Sequence, residues 1–119
     1  MRAVTQASFG GPEELKIDLI DKPIAAAGQV LVKVIATSVN RPDVIQRQGN
    51  YPPPPGDSEV LGLEIAGEVA EVGAGISRWK VGDKVMGLVG GGGYAEFATA
   101  WEHHLMAVPE TLTWAQAAS

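Results

Sequence analysis

Glycine and proline interrupt this 119-residue chain throughout, 15 and 8 of them respectively, and leave few stretches long enough for a helix. They are spread rather than clustered, so the chain is not a low-complexity linker. Between them lie short runs that alternate apolar and polar residues, the pattern of half-buried strands joined by turns. Candidate strands are Arg2 to Ser8, Leu15 to Ile20, Val30 to Val39, Val60 to Val72, a run entered through Val81-Gly82-Asp83-Lys84-Val85, Tyr94 to Ala100, and His104 to Val108. Leu15 to Ile20 places its apolar residues on one face. Val30 to Val39 is the strongest, with Val30, Val32 and Val34 on one face and Leu31, Lys33 and Ile35 on the other. Apolar residues at 45% and charged residues at 19% are enough for a core. The expected fold class is mainly β with short helices.

One short helix is expected after the long strand. Asn40 suits its N-cap, Pro42 its first turn, and Asp43 the positive end of its dipole. Val44 to Gln48 continues it and Gly49 closes it. Tyr51 then leads into Pro52 to Pro55, a polyproline stretch that stiffens the loop. A second helix opens at Thr113, whose hydroxyl and Gln116 three residues on form a capping box. A helix of so few residues is not stable alone. The expectation is a domain over 1–112, with 113–119 opening a helix that leads to a further part of a longer protein.

Composition removes several function classes. There is no cysteine, hence no disulfide, thiolate ligand or cysteine nucleophile. The net charge is −5 and the basic residues are scattered, which disfavours nucleic acid and anionic membrane surfaces. No apolar run approaches the roughly 18 residues of a membrane span. The start Met1-Arg2-Ala3-Val4 lacks the apolar core of a signal peptide, so a cytoplasmic location is expected. Gly90 to Gly93 is not read as a phosphate loop, because a strand rather than a helix follows it. It reads as a flexible turn between two strands.

In order along the chain stand Gly10-Gly11-Pro12-Glu13, Val30-Leu31-Val32-Lys33-Val34, Ser38-Val39-Asn40-Arg41-Pro42-Asp43, Arg47-Gln48-Gly49-Asn50-Tyr51, Leu61-Gly62-Leu63-Glu64, Gly67-Glu68-Val69, Val72-Gly73, Val81-Gly82-Asp83-Lys84-Val85 and Gly91-Gly92-Gly93-Tyr94-Ala95-Glu96. Together they resemble the N-terminal domain of the medium-chain dehydrogenase/reductase superfamily, of the zinc-free quinone oxidoreductase type related to zeta-crystallin. The resemblance implies a GroES-like, partly open β-barrel. It implies an intact enzyme in which this barrel packs against a Rossmann domain missing from the chain. That domain would bind most of an NADPH or NADH. The acceptor would be a small-molecule quinone or enone, and the intact enzyme a homodimer.

Gly62-Leu63-Glu64 carries the strongest chemical statement. Zinc-dependent members of the superfamily have a histidine ligand in the middle of this motif, and Leu63 cannot ligate a metal. The only histidines, His103 and His104, read as exposed strand-end residues on opposite faces. No metal site is expected. Glu64, flanked by Leu63 and Ile65, reads first as a buried carboxylate in a structural ion pair with an Arg or Lys, and second as a catalytic group.

Asn40 and Tyr51 are the candidate catalytic and cofactor-binding residues. Asn40 is either a helix cap or a ligand contact. Tyr51 either stacks on Pro52 or Pro53 or holds its hydroxyl towards the reacting groups. The resemblance implies that both approach the nicotinamide or the acceptor, where the Tyr51 hydroxyl and the Asn40 amide would donate to a developing oxyanion. Asp43 and Gln46 stand second, as surface or cap residues. Trp79, Trp101 and Trp114 read as packing residues. The function expected of the intact protein is hydride transfer from nicotinamide to a quinone or conjugated carbonyl without zinc, with residues 1–119 inactive alone. The alternatives are a non-enzymatic GroES-like assembly module and an enoyl reductase of the same superfamily.

Overall fold

The computed structural model describes all residues 1–119. The strands are β1 (Arg2–Gln6), β2 (Leu15–Leu19), β3 (Gln29–Thr37), β4 (Glu64–Val72), β5 (Lys84–Leu88), β6 (Phe97–Trp101) and β7 (Leu105–Ala107). Two short helices, α1 (Arg41–Arg47) and α2 (Trp114–Ala117), and two 3-10 turns, Pro12–Glu14 and Glu102–His104, complete the chain. The fold is mainly β, as the glycine and proline spacing requires. It is built from two sheets and does not close into a barrel. β1 and β2 form an antiparallel pair, and the other five strands form a sheet in the order β6-β3-β4-β5-β7. A bridge between Ala3 and Ala95 ties β1 to the segment that leads into β6.

β3 is the spine, paired antiparallel with both β4 and β6. Its valines explain the position. Val30 and Val32 share the main core with Ile65, Val69, Val85, Ala98, Ala100 and Leu105. Leu31, on the opposite face, is also fully buried, so the central stretch of β3 is covered on both sides. Each such side chain contributes about 1.5–3 kcal/mol relative to exposure. A smaller cluster seats α2, where Ala117 and Ala118 pack on Ala66 and Trp114 lies against them.

Two glycines let backbones meet. At Gly67 in β4 an added Cβ would stand 2.0 Å from the Lys33 carbonyl oxygen, beside a register shift between Val34 and Ala36. Gly62, at φ 103°, faces Gly93, where an added Cβ would lie 2.9 Å from the Gly62 carbonyl carbon. This contact corrects the reading of Gly90 to Gly93 as a flexible turn. Gly91, Gly92 and Gly93 are buried, and the Gly92 and Gly93 N–H groups donate to the carbonyls of Val60 at 2.7 Å and Gly62 at 3.0 Å.

Element boundaries differ in places. β1 ends at Gln6 rather than Ser8, and β4 begins at Glu64 because the backbone before it bends through Gly62. β6 starts at Phe97, three residues later than the alternation suggests. His103 and His104 lie in a 3-10 turn, not in a strand, so the opposite-face argument does not apply to them, although both are exposed. β2 keeps its period of two, but its apolar face points outward: Ile17 is 71% and Leu19 81% exposed. The polar partner is the one held, since Thr5 Oγ1 donates to Asp18 Oδ2 at 2.6 Å.

Candidate functional site

The end of β3, the start of α1 and the start of β4 converge on one polar cluster. β3 stops at Thr37, and Ser38 and Asn40 follow in extended backbone, so their side chains lie on the same side of the chain. Both point to Glu64, the first residue of β4. Ser38 Oγ donates to Glu64 Oε2 at 2.9 Å, and Asn40 Nδ2 donates to the same oxygen at 3.0 Å. Asn40 Nδ2 also approaches Ser38 Oγ at 3.3 Å. The neighbouring Thr37 hydroxyl donates to the Glu64 backbone carbonyl at 2.7 Å.

Glu64 is therefore not in an ion pair with an Arg or Lys. The ion pairs of the domain are Arg2–Glu96 and Lys16–Asp18. Neutral donors hold the half-buried Glu64 carboxylate instead, through two hydrogen bonds.

Asn40 is the N-cap of α1, and Asp43 closes the box from the other side by accepting from the Asn40 backbone N–H at 2.9 Å. The donor N–H groups of its carboxamide are spent on Glu64 and Ser38, so Asn40 holds the N-cap position and belongs to a polar cluster within the domain. Asp43, expected as a surface or cap residue, does join the cap but is 2% exposed. Its Oδ2 also accepts from the Tyr94 hydroxyl at 2.5 Å, while its Oδ1 has no partner. Burial first, and then the hydrogen bond and charge of Asp43, push the Tyr94 phenol far above its ordinary range. The polar chain thus runs Tyr94, Asp43, Asn40, Glu64, Ser38.

Glu64 borders an apolar cleft of about 550 Å³ whose walls include Met86, Leu88, Met106 and Leu112, with His104 at its edge. The cleft also reaches Gln116 and Ser119. No group of three or more His, Asp or Glu side chains converges to hold a metal ion anywhere in the domain. Tyr51 stands apart from the cluster. The residue is 48% exposed beside the proline loop, and its hydroxyl makes no hydrogen bond to the domain. The structure does not join Tyr51 to Asn40 by any hydrogen bond.

Gln46, the other second-tier residue, is 5% exposed with both polar atoms of its side chain unpartnered. It lines a separate cavity of about 410 Å³ beneath Phe9, Pro52 and Pro53. The cluster residues that sequence reasoning did not single out are Ser38 and Tyr94. Ser38 is legible in hindsight from its spacing two residues before Asn40 on extended chain. Tyr94 carries no such signal. Of the tryptophans, Trp79 packs on the main core and its indole N–H donates to the Glu102 carbonyl at 2.8 Å.

Residues 26–110 match the family described as the alcohol dehydrogenase GroES-like domain. The quinone oxidoreductase of Rattus norvegicus is 39% identical over 121 residues, covering 100% of this chain and 37% of that protein. The solved structure of the quinone oxidoreductase of Escherichia coli complexed with NADPH superposes with a TM-score of 0.89 at 30% identity, over 99% of this chain and 36% of the other. The CurK enoyl reductase superposes with a TM-score of 0.83 at 26% identity, over 98% of this chain and 38% of the other. The chain thus spans little more than a third of the length of these relatives.

Proposed function

The chain belongs to the alcohol dehydrogenase GroES-like domain family, within the medium-chain dehydrogenase/reductase superfamily and of its quinone oxidoreductase type, and from that premise we propose that it is the acceptor-side domain of a zinc-free NAD(P)H-dependent reductase of quinones or related conjugated carbonyls. Residues 1–112 form this domain, and 113–119 begin the helix that leads to the part holding most of the cofactor. The intact protein is read as a cytoplasmic homodimer. No helix of the domain is long and apolar enough to cross a membrane.

The observation that carries this reading is the polar cluster of Ser38, Asn40 and Glu64, of which Glu64 borders an apolar cleft, with Leu63 in place of a metal-ligating side chain. A flat ring with a polar edge, such as a nicotinamide or a quinone, fits that combination of surfaces. The cofactor supplies the hydride, and the domain positions and shields it. No glycine-rich turn between a strand and a helix is present here to seat a pyrophosphate. With no Lewis acid, the acceptor must itself spread the negative charge, as a quinone or enone does. The Asn40 amide N–H groups are engaged, so the donor role proposed for the Tyr51 hydroxyl rests on the family resemblance and not on a contact within the domain.

The test is steady-state reduction by the full-length protein. A quinone should be turned over with NADPH or NADH, and a simple alcohol or ketone should not. Equal turnover of a simple ketone would remove the reading, as would strong NADPH binding by residues 1–119 alone. The likeness to the CurK enoyl reductase favours a second reading, reduction of an activated carbon–carbon double bond. A panel of enones beside quinones separates the two.

A further inference from the structure

We propose that Glu64 biases a nicotinamide bound beside it towards the oxidised, positively charged form. The inference rests on the reading above, in which the nicotinamide end of the cofactor comes to the Ser38–Asn40–Glu64 cluster. Both hydrogen bonds to the Glu64 carboxylate come from neutral groups, Ser38 Oγ at 2.9 Å and Asn40 Nδ2 at 3.0 Å. The ion pairs of the domain lie elsewhere. The cleft it borders is walled by Met86, Leu88, Met106 and Leu112, and His104 is its only other titratable side chain.

Neutral dipoles hold a carboxylate in place without cancelling its charge. Apolar walls screen that charge less than water does, so it acts on whatever occupies the cleft. In the transfer, a C–H bond of the reduced ring breaks with its electron pair, and hydrogen and electrons pass together to the acceptor. The ring is left with one positive charge, and water supplies the proton that completes the reduced acceptor. Glu64 attracts the ring after this step and not before it. The carboxylate therefore helps the hydride to leave and holds the spent cofactor more tightly than the fresh one. Glu64 does this without taking part in bond making, and the hydrogen bonds from Ser38 and Asn40 fix its position.

The experiment is calorimetric titration of the full-length protein with NADP+ and NADPH separately, for the wild type, Glu64→Gln and Glu64→Asp. Gln keeps an oxygen for Ser38 and Asn40 and loses the charge. Asp keeps the charge. The ratio of the NADP+ to the NADPH dissociation constant should rise about tenfold in Glu64→Gln and stay within about threefold of wild type in Glu64→Asp. If both forms bind and the ratio does not move in Glu64→Gln, the proposal is overturned while the reductase reading stands. If neither form binds the wild type, both fall together. Should Glu64→Gln not fold, Glu64→Asn against Glu64→Asp gives the same comparison of charge at constant length.

Discussion

The Tyr94 hydroxyl donates a 2.5 Å hydrogen bond to Oδ2 of Asp43, across 51 residues of sequence. Asp43 is almost fully buried and its other oxygen has no partner, so this bond and the one from the Asn40 N–H are all that compensate its desolvation. Removing a partner from a buried charged group costs more than the bond itself contributes. Tyr94→Phe should therefore lower stability by about 2–3 kcal/mol in a urea titration. Loss of less than about 0.5 kcal/mol, the usual range for an inconsequential surface change, would contradict it.

The same pair gives the domain an alkaline limit. The Tyr94 phenol has its proton affinity raised by burial and by Asp43. In the unfolded chain a tyrosine ionises near pH 10. Above that pH the unfolded state has lost its proton and the folded state keeps it, so stability is full below about pH 10 and falls as the pH rises further. Denaturant midpoints measured from pH 8 upward should decline above about pH 10, and this component of the decline should be absent in Tyr94→Phe.

Close backbone approach makes Gly67 a second sensitive point. A methyl group there would sit 2.0 Å from the Lys33 carbonyl oxygen, and a backbone atom cannot swing away as a side chain can. Gly67→Ala should cost about 2–4 kcal/mol by overpacking and loss of neighbouring β3–β4 pairing. Thermal unfolding of the variant checks this, and an unchanged midpoint would mean that β3 and β4 part easily at their bulge.

Much of this could be read from residue order because it depends on local chemistry. The valines of β3, the Asn40 and Thr113 caps, and the strand-breaking glycines act through neighbours a few residues away. What could not be read depends on distant pairing. Nothing near Glu64 in sequence says that Ser38 and Asn40 will satisfy it, and its apolar neighbours suggested an ion pair instead. Asp43 looked like a surface cap residue because Tyr94 was not visible beside it. β2 shows the opposite failure: its alternation identified a strand but not which face the core would take. Gly90 to Gly93 looked loose because glycine permits looseness, whereas here its missing side chains let Gly62 and Ser58 come close.

The proposed zinc-free reaction makes metal independence a testable outcome, resting on Leu63 and its neighbour Glu64. Leu63 offers no lone pair, and Oε2 of Glu64 next to it already accepts two hydrogen bonds. Quinone reduction by the full-length protein should keep its rate after dialysis against a strong chelator. A loss of activity restored by zinc would show that another part of the protein completes a metal site.

Tyr51 offers the sharpest separation of structure from chemistry. Its hydroxyl bonds to nothing within the domain, and about half of the residue is in solvent. A hydroxyl with no partner in the folded state contributes almost nothing to stability, so Tyr51→Phe should unfold within about 0.5 kcal/mol of wild type. If that hydroxyl donates to the acceptor oxygen as charge develops there, removing it should lower kcat by about 10²-fold, with a smaller change in KM. Stacking on the prolines would predict the reverse for Tyr51→Ala, a loss of loop order with Tyr51→Phe fully active. Measuring both variants in the full-length protein decides between the two roles, because phenylalanine preserves the ring and discards only the donor.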